Sequence, residues 1–243
     1  MTEINIYPKH KELEHLLELY PPQPVNRFLP DWYKKQKFNT RESYYAEGKD
    51  VQAKKCPAIV EELTRGIVIP SWSDVYITKK GNEYFWQVEV GRLNELSSFP
   101  WIEHQEYNQI TDMELNSIDG FGLLKLVCPY YFETPKGYGL HFKDAFYHHR
   151  KNIRLLSGYV ETDIWHEVNF PFEFLVDTNK LDKNSLFIKA GEPLLVIDTY
   201  EKSNTNELII NKYDDEFFNK HTKQRKHLHS MSEDWNRYTK FYK

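Results

Sequence analysis

The chain has 243 residues, 40% of them hydrophobic and 16% aromatic, with net charge −4. That length supports a real core in one large or two small domains. The mild negative charge excludes the global basic field of a nucleic-acid binder, and two cysteines exclude a disulfide framework or a four-cysteine zinc site. The N-terminal stretch MTEINIYPKHKELEH has no apolar core of a signal peptide. No run reaches the roughly 20 apolar residues that a membrane helix needs. A soluble, cytoplasmic protein is expected, in a bacterial or an infected host cell.

In chain order, HKELEHLLELY spaces Leu13, Leu16 and Leu17 as one helical face, and Pro21, Pro22 and Pro24 end it. Pro21 to Lys37 reads as an arm pinned by Phe28, Trp32 and Tyr33. CPAIVEELTRG predicts a short helix with Pro57 in its first turn and Gly66 as its stop. IVIPSW follows as a strand. DVYITKKGNEYFWQVEV predicts a hairpin around Lys79-Lys80-Gly81-Asn82, because aromatic and β-branched residues alternate on both sides.

After Gly120 the pattern is almost wholly β. FGLLKLVC, YGLHF, IRLLSGYVE, IWHEVNFPFEFLV, NSLFIKAG and PLLVIDTYE are short runs with turn residues between them. From Asp214 the chain becomes helical and charged. Its basic run Lys220 to His229 reads as a solvated helix face, and its end, DWNRYTKFYK, carries Trp235, Tyr238 and Tyr242 at helical spacing. Those aromatics dock either on the chain's own core or on a neighbour. The expected division is 1–56 as an N-terminal helix and Pro/aromatic arm, 57–200 as a β-rich core, and 201–243 as a helical tail.

Several residues are candidates for chemistry. Glu161 and Asp163, two apart in a strand-like run, would share one face. Buried together, they would repel, raise one pKa and suit general acid or base work; exposed, they are the polar face of a half-buried strand. Lys136 and His141 flank a Pro-Gly turn whose backbone N–H groups could cradle a small anionic ligand. His104-Gln105-Glu106 has the His-x-acid spacing of an iron site, and His141, His148, His149 or His166 could complete it; ten histidines satisfy that pattern readily by chance. His148-His149-Arg150 reads as a polar loop. Cys56 and Cys128 read as reduced and buried, outside any nucleophile motif. No metal and no cofactor are expected.

The run Pro135 to Ile197 resembles the core of the trimeric dUTPase and dCTP deaminase superfamily. Gly158-Tyr159-Val160-Glu161-Thr162-Asp163-Ile164-Trp165-His166-Glu167-Val168 follows, without a gap, that family's G-apolar-apolar-D-[ST]-D-Y-x-G-x-apolar motif. Ile188-Lys189-Ala190-Gly191-Glu192-Pro193-Leu194-Leu195-Val196 has the shape of its later strand and turn, and Pro135-Lys136-Gly137 stands where the family has its phosphate loop. The likeness covers about a quarter of the chain. The wider chain also resembles an uncharacterised family of bacteriophages and marine bacteria.

The resemblance implies a mainly β (α+β) fold, a dUTPase-like β-clip or β-roll with peripheral N- and C-terminal helices, and a homo-oligomer, by resemblance a trimer. It also implies where catalysis would sit. Glu161 replaces the water-activating Asp, Ile164 replaces the Tyr under the sugar, Gly137 replaces the loop Ser, and no glycine-rich arm follows. The leading expectation is a non-catalytic binding or assembly protein, phage-encoded by resemblance. The alternatives are a nucleotide hydrolase or deaminase relative using Glu161 as base, and a non-haem iron oxygenase using His104 and Glu106.

Overall fold

The computed structural model describes residues 2–35, 56–80, 83–89, 99–105, 123–148, 153–174, 185–203, 208–212 and 214–231. The chain divides into two compact units. One comprises Met1–Phe28 with Arg65–Asn204, the other Leu29–Thr64 with Thr205–Lys243.

The first unit is built from thirteen described strands in three sheets. β1 (Asn5–Pro8), β7 (Leu124–Glu133), β11 (Glu167–Phe174) and β9 (Ile153–Leu155) form the first in that order, and β6 (Ile102–His104) also pairs with β7. The second runs β10 (Gly158–Val160), β8 (Tyr138–Asp144), β13 (Pro193–Glu201), β3 (Ile67–Pro70) and β2 (Gln23–Pro24). The third is β12 (Ser185–Ile188), β4 (Asp74–Lys80) and β5 (Glu83–Glu89). All pairings among the described strands are antiparallel.

One apolar core joins the three sheets. β7 sends Leu124, Leu126, Tyr130 and Phe132 inward, β8 sends Leu140 and Phe142, and the third sheet adds Val75, Ile77, Leu186 and Ile188. Phe142 meets Phe132 edge-on at 5.4 Å and Phe170 at 5.5 Å, so the inner faces of the first two sheets touch through rings. α1 (Glu14–Leu19) and the 3-10 turn before it add Leu16 and Leu13 to the same core. Where β11 slips register between Glu167 and Asn169, the amide N–H of Cys128 donates instead to Asn169 Oδ1 at 3.2 Å. Cys128 is fully buried, and burial pushes its thiol up to about 12. Cys56 is half-buried.

The hairpin of the third sheet lies where its alternation places it, with Asp74↔Glu89 through Lys80↔Glu83 in register; Gly81 and Asn82 lie outside the described residues. The β-run expected through Gly158–Val168 stops at Val160. Residues 162–164 form a turn, and the chain resumes as β11 in a different sheet. The physical reason is local: the amide N–H groups of Ile164 and Trp165 both donate to Glu161 O at 2.9 Å, which closes a turn instead of a ladder. β13 and β10 both flank β8, and Gly191 occupies the turn before β13 with φ +80.

In the second unit, α2 (Asp31–Lys35) buries Tyr33, against whose ring Trp32 lies edge-on at 5.6 Å. α3 (Pro57–Glu62) starts at Pro57, as expected from the fixed φ of proline, and ends at Leu63, before Gly66. α4 (Asp215–Met231) opens with Asp214 Oδ1 accepting the Phe217 N–H at 2.9 Å. Among the described residues no helix is long and apolar enough to cross a membrane.

Candidate functional site

Three strand ends meet where the sequence placed its candidates. β7 delivers Thr134, the Pro135–Tyr138 turn leads into β8, β10 delivers Glu161 to Asp163, and β13 delivers Lys202. The β8–β13 ladder runs to Glu201↔Tyr138, and one more bond continues it, from Lys202 N–H to Gly137 O at 2.8 Å.

Gly137 can sit in this turn because its φ is +87, a left-handed conformation that costs glycine little. That conformation aims its N–H at Asp163 Oδ2, 2.8 Å away. Lys202 Nζ lies 3.1 Å from Asp163 Oδ1 and 2.6 Å from Glu161 Oε2. The Asp163 side chain is 5% exposed and that of Glu161 56%. One ammonium therefore bridges an enclosed carboxylate and an open one. The Gly137 N–H, followed by Lys202, holds the Asp163 carboxyl below the usual carboxylate range, and pairing with Glu161 and then Asp163 raises Lys202.

Beneath this pair, Thr134 and Thr162 are 4% and 0% exposed. Their hydroxyls meet at 2.8 Å, and Thr134 Oγ1 also lies 2.9 Å from Tyr138 O. The two turns are thus tied by buried hydroxyls as well as by charge. His166 Nδ1 adds contacts to Thr162 O at 3.0 Å and Phe132 O at 3.1 Å.

Beside the charged pair, Tyr159 stacks on His141 at 4.2 Å with 9° between planes and meets Tyr200 edge-on at 5.1 Å. These rings share the outer face of the second sheet, since Tyr159, His141 and Asp198 are cross-strand neighbours. Arg65 Nε reaches Asp198 Oδ2 at 2.7 Å. Gly139 makes the close approach of Tyr200 feasible: a Cβ there would stand 2.6 Å from the Tyr200 ring and from Val160 O. Burial, before the neighbouring charges, raises the Tyr200 phenol.

Of the residues singled out from the sequence, Glu161 and Asp163 converge on one partner, but from a turn and not from a strand face. They do not confront each other as bare charges, because Lys202 lies between them. Lys136 is exposed and precedes the glycine that engages Asp163; His141 stands one ring away, behind Tyr159. Ile164 is 69% and Trp165 63% exposed. Sequence reading missed Lys202, Tyr159, Tyr200 and the Thr134–Thr162 pair. The resemblance ended at Ile197 and so left out Lys202; the TPKG and ETD strings carried the two threonines unremarked.

His104 lies on β6 with Trp86 edge-on at 5.5 Å. Glu106, His149 and Arg150 lie outside the described residues, and His148 ends a 3-10 turn at Phe146–His148. Among the described residues, no three His, Cys, Asp or Glu side chains gather at metal-binding separation.

No family model matches the sequence, and no curated protein is similar to it. Among solved structures, a mutant dUTPase of Staphylococcus bacteriophage 80alpha with dUpNHpp is similar at 8% sequence identity and a TM-score of 0.37, over 87% of this chain and 90% of that one.

Proposed function

We propose that this chain is a non-catalytic binding or assembly protein on a degenerate dUTPase-like β scaffold. The observation that carries this reading is the engagement of both acids by Lys202. A carboxylate that is to activate water needs an open lone pair aimed at that water. Asp163 is enclosed, and its oxygens face the Gly137 N–H and Lys202. Glu161 is open but ion-paired at 2.6 Å. The turn amide that would greet a phosphate is the one that binds Asp163. Ile164, at the position of the family's platform Tyr, offers no flat face for a sugar.

The test is hydrolysis of dUTP and dCTP with magnesium. Release of pyrophosphate or ammonia at the level of a no-protein control is expected. Turnover lost in Glu161→Gln would overturn the reading and make Glu161 a general base.

A further inference from the structure

At the strand ends one carboxylate spans a backbone amide and an ammonium. Asp163 Oδ2 accepts the Gly137 N–H at 2.8 Å, and Lys202 Nζ stands 3.1 Å from Oδ1 and 3.4 Å from Oδ2. A glycine turn with φ +87 that aims its N–H beside an ammonium is a donor set for a small oxyanion. Here the oxyanion belongs to the chain itself, and its side chain is 5% exposed. Other bonds hold the turn without passing through that carboxylate. Lys202 N–H donates to Gly137 O at 2.8 Å, Tyr138 N–H to Pro135 O at 3.0 Å, and Thr134 Oγ1 to Tyr138 O at 2.9 Å. The Thr134 and Thr162 hydroxyls meet at 2.8 Å. With the carboxylate gone, the Gly137 N–H and the Lys202 ammonium would keep their places and lack the acceptor that Asp163 now supplies.

We infer that the Gly137 turn is an anion site closed by its own ligand: Asp163 occupies, as a tethered stand-in, the place of a free phosphate-type oxyanion. Tethering decides the competition. An intramolecular ligand on a short link acts at an effective concentration on the order of mM, which a free anion must exceed to displace it. The link here is also fixed in shape, because the amide N–H groups of Ile164 and Trp165 both donate to Glu161 O at 2.9 Å and close the turn that carries Asp163. Glu161 is a second guard. Its carboxylate lies 2.6 Å from Lys202 Nζ, takes up the ammonium from the open side and repels an incoming anion. Charge also selects the class of anion. Lys136 is exposed and adjoins Gly137 in the chain, so with both acids neutral two lysines flank the turn and suit a phosphate dianion better than a carboxylate. This inference deepens the non-catalytic reading on which it rests: a turn whose donors are taken has no place for the phosphates of a nucleotide.

The test is calorimetric titration of the full chain with inorganic phosphate at neutral pH and constant ionic strength, with acetate as the carboxylate probe. Glu161→Gln with Asp163→Ser is expected to bind phosphate about tenfold or more tightly than the unaltered protein does, the share of one charge-assisted hydrogen bond, and more tightly than it binds acetate. Adding Lys202→Met should abolish that binding. Three results overturn the inference: phosphate binding by the unaltered protein as tight as that of the double variant, a folded double variant that binds none, or binding that survives Lys202→Met. If the double variant fails to fold, the unaltered protein still decides. Its Gly137 amide NMR signal is expected to hold its place through the same phosphate titration, and a saturating shift would show an open site and overturn the inference. The titration contains no nucleotide and no magnesium, so an open site leaves the non-catalytic reading to the hydrolysis assay, and turnover there would sink that reading by itself.

Discussion

Two sets of buried polar atoms among the described residues of the first unit are treated in opposite ways. At the strand ends, the Thr134 and Thr162 hydroxyls meet each other and a carbonyl, and the enclosed Asp163 finds an amide and an ammonium. In the core, the Tyr130 hydroxyl and the Ser73 hydroxyl have no hydrogen-bond partner among the described residues. Tyr130 is 1% exposed and packs edge-on to Trp72 at 6.3 Å; burial, and then the neighbouring Cys128, raises its phenol. Burying a large aromatic ring is worth roughly 2–3 kcal/mol. An unmet buried hydroxyl costs about 1–3 kcal/mol. The ring thus offsets its own oxygen. The lesson is one of purpose: the Tyr130 oxygen is tolerated as the tail of an apolar ring, whereas at the strand ends the polar atoms fix the shape of two turns.

That contrast can be broken at its strongest point first. Thr162→Val keeps the shape and removes the hydroxyl that Thr134 meets, so a loss of about 1–3 kcal/mol is expected in urea denaturation. A value within experimental error of zero would mean the tie is ornamental.

A smaller and pH-dependent loss is expected for Asp163→Asn. The folded-state pKa of Asp163 lies below its unfolded value, so its charge contributes stability above the ordinary carboxylate range near pH 4. That contribution fades as pH falls through the lower, folded value. The urea midpoints of the two proteins should therefore differ at pH 7 and draw together in acid. A difference that is constant with pH would show that shape, not charge, makes the contact matter.

The least effect is expected at the other pole. Tyr130→Phe removes an unpartnered oxygen and keeps the ring, so stability should stay within about 1 kcal/mol or rise. A loss above about 2 kcal/mol would place a strong partner on that hydroxyl and erase the contrast.

Much of the fold was legible because strands with one buried face advertise it. DVYITKKGNEYFWQVEV alternates and forms a hairpin; the runs from Leu124 to Glu201 are punctuated and form strands. What could not be read was sheet membership. β10 and β11 adjoin in sequence but lie in different sheets, since the Glu161–Ile164 turn is made by backbone bonds that no periodicity encodes. The site was half legible for a related reason. Glu161 and Asp163 stand out as acids in an apolar run, but their partner arrives 39 residues after Asp163, brought by the end of β13. A lysine in a charged stretch gives no local sign of where its ammonium will rest. Tyr200 is likewise explained only by Gly139, the vacancy of whose side chain becomes meaningful once the strands are paired.

The order of the second sheet has a further consequence, on the ribosome. β13 sits between β8 and β3, so the strand made last belongs in the middle. When β3 emerges with its Val68 and Ile69, each 0% exposed in the finished protein, its partner in β13 has yet to be synthesised. At about 5–20 residues per second, the wait is on the order of ten seconds. Throughout it β3, and β8 once it has been made, present the edges that β13 will pair and their apolar side chains to solvent or to a neighbouring nascent chain. Yield during expression should therefore depend on chaperone supply and temperature more steeply than the finished protein's stability would suggest, and a stop codon placed before Pro193 should leave aggregates in place of a smaller domain.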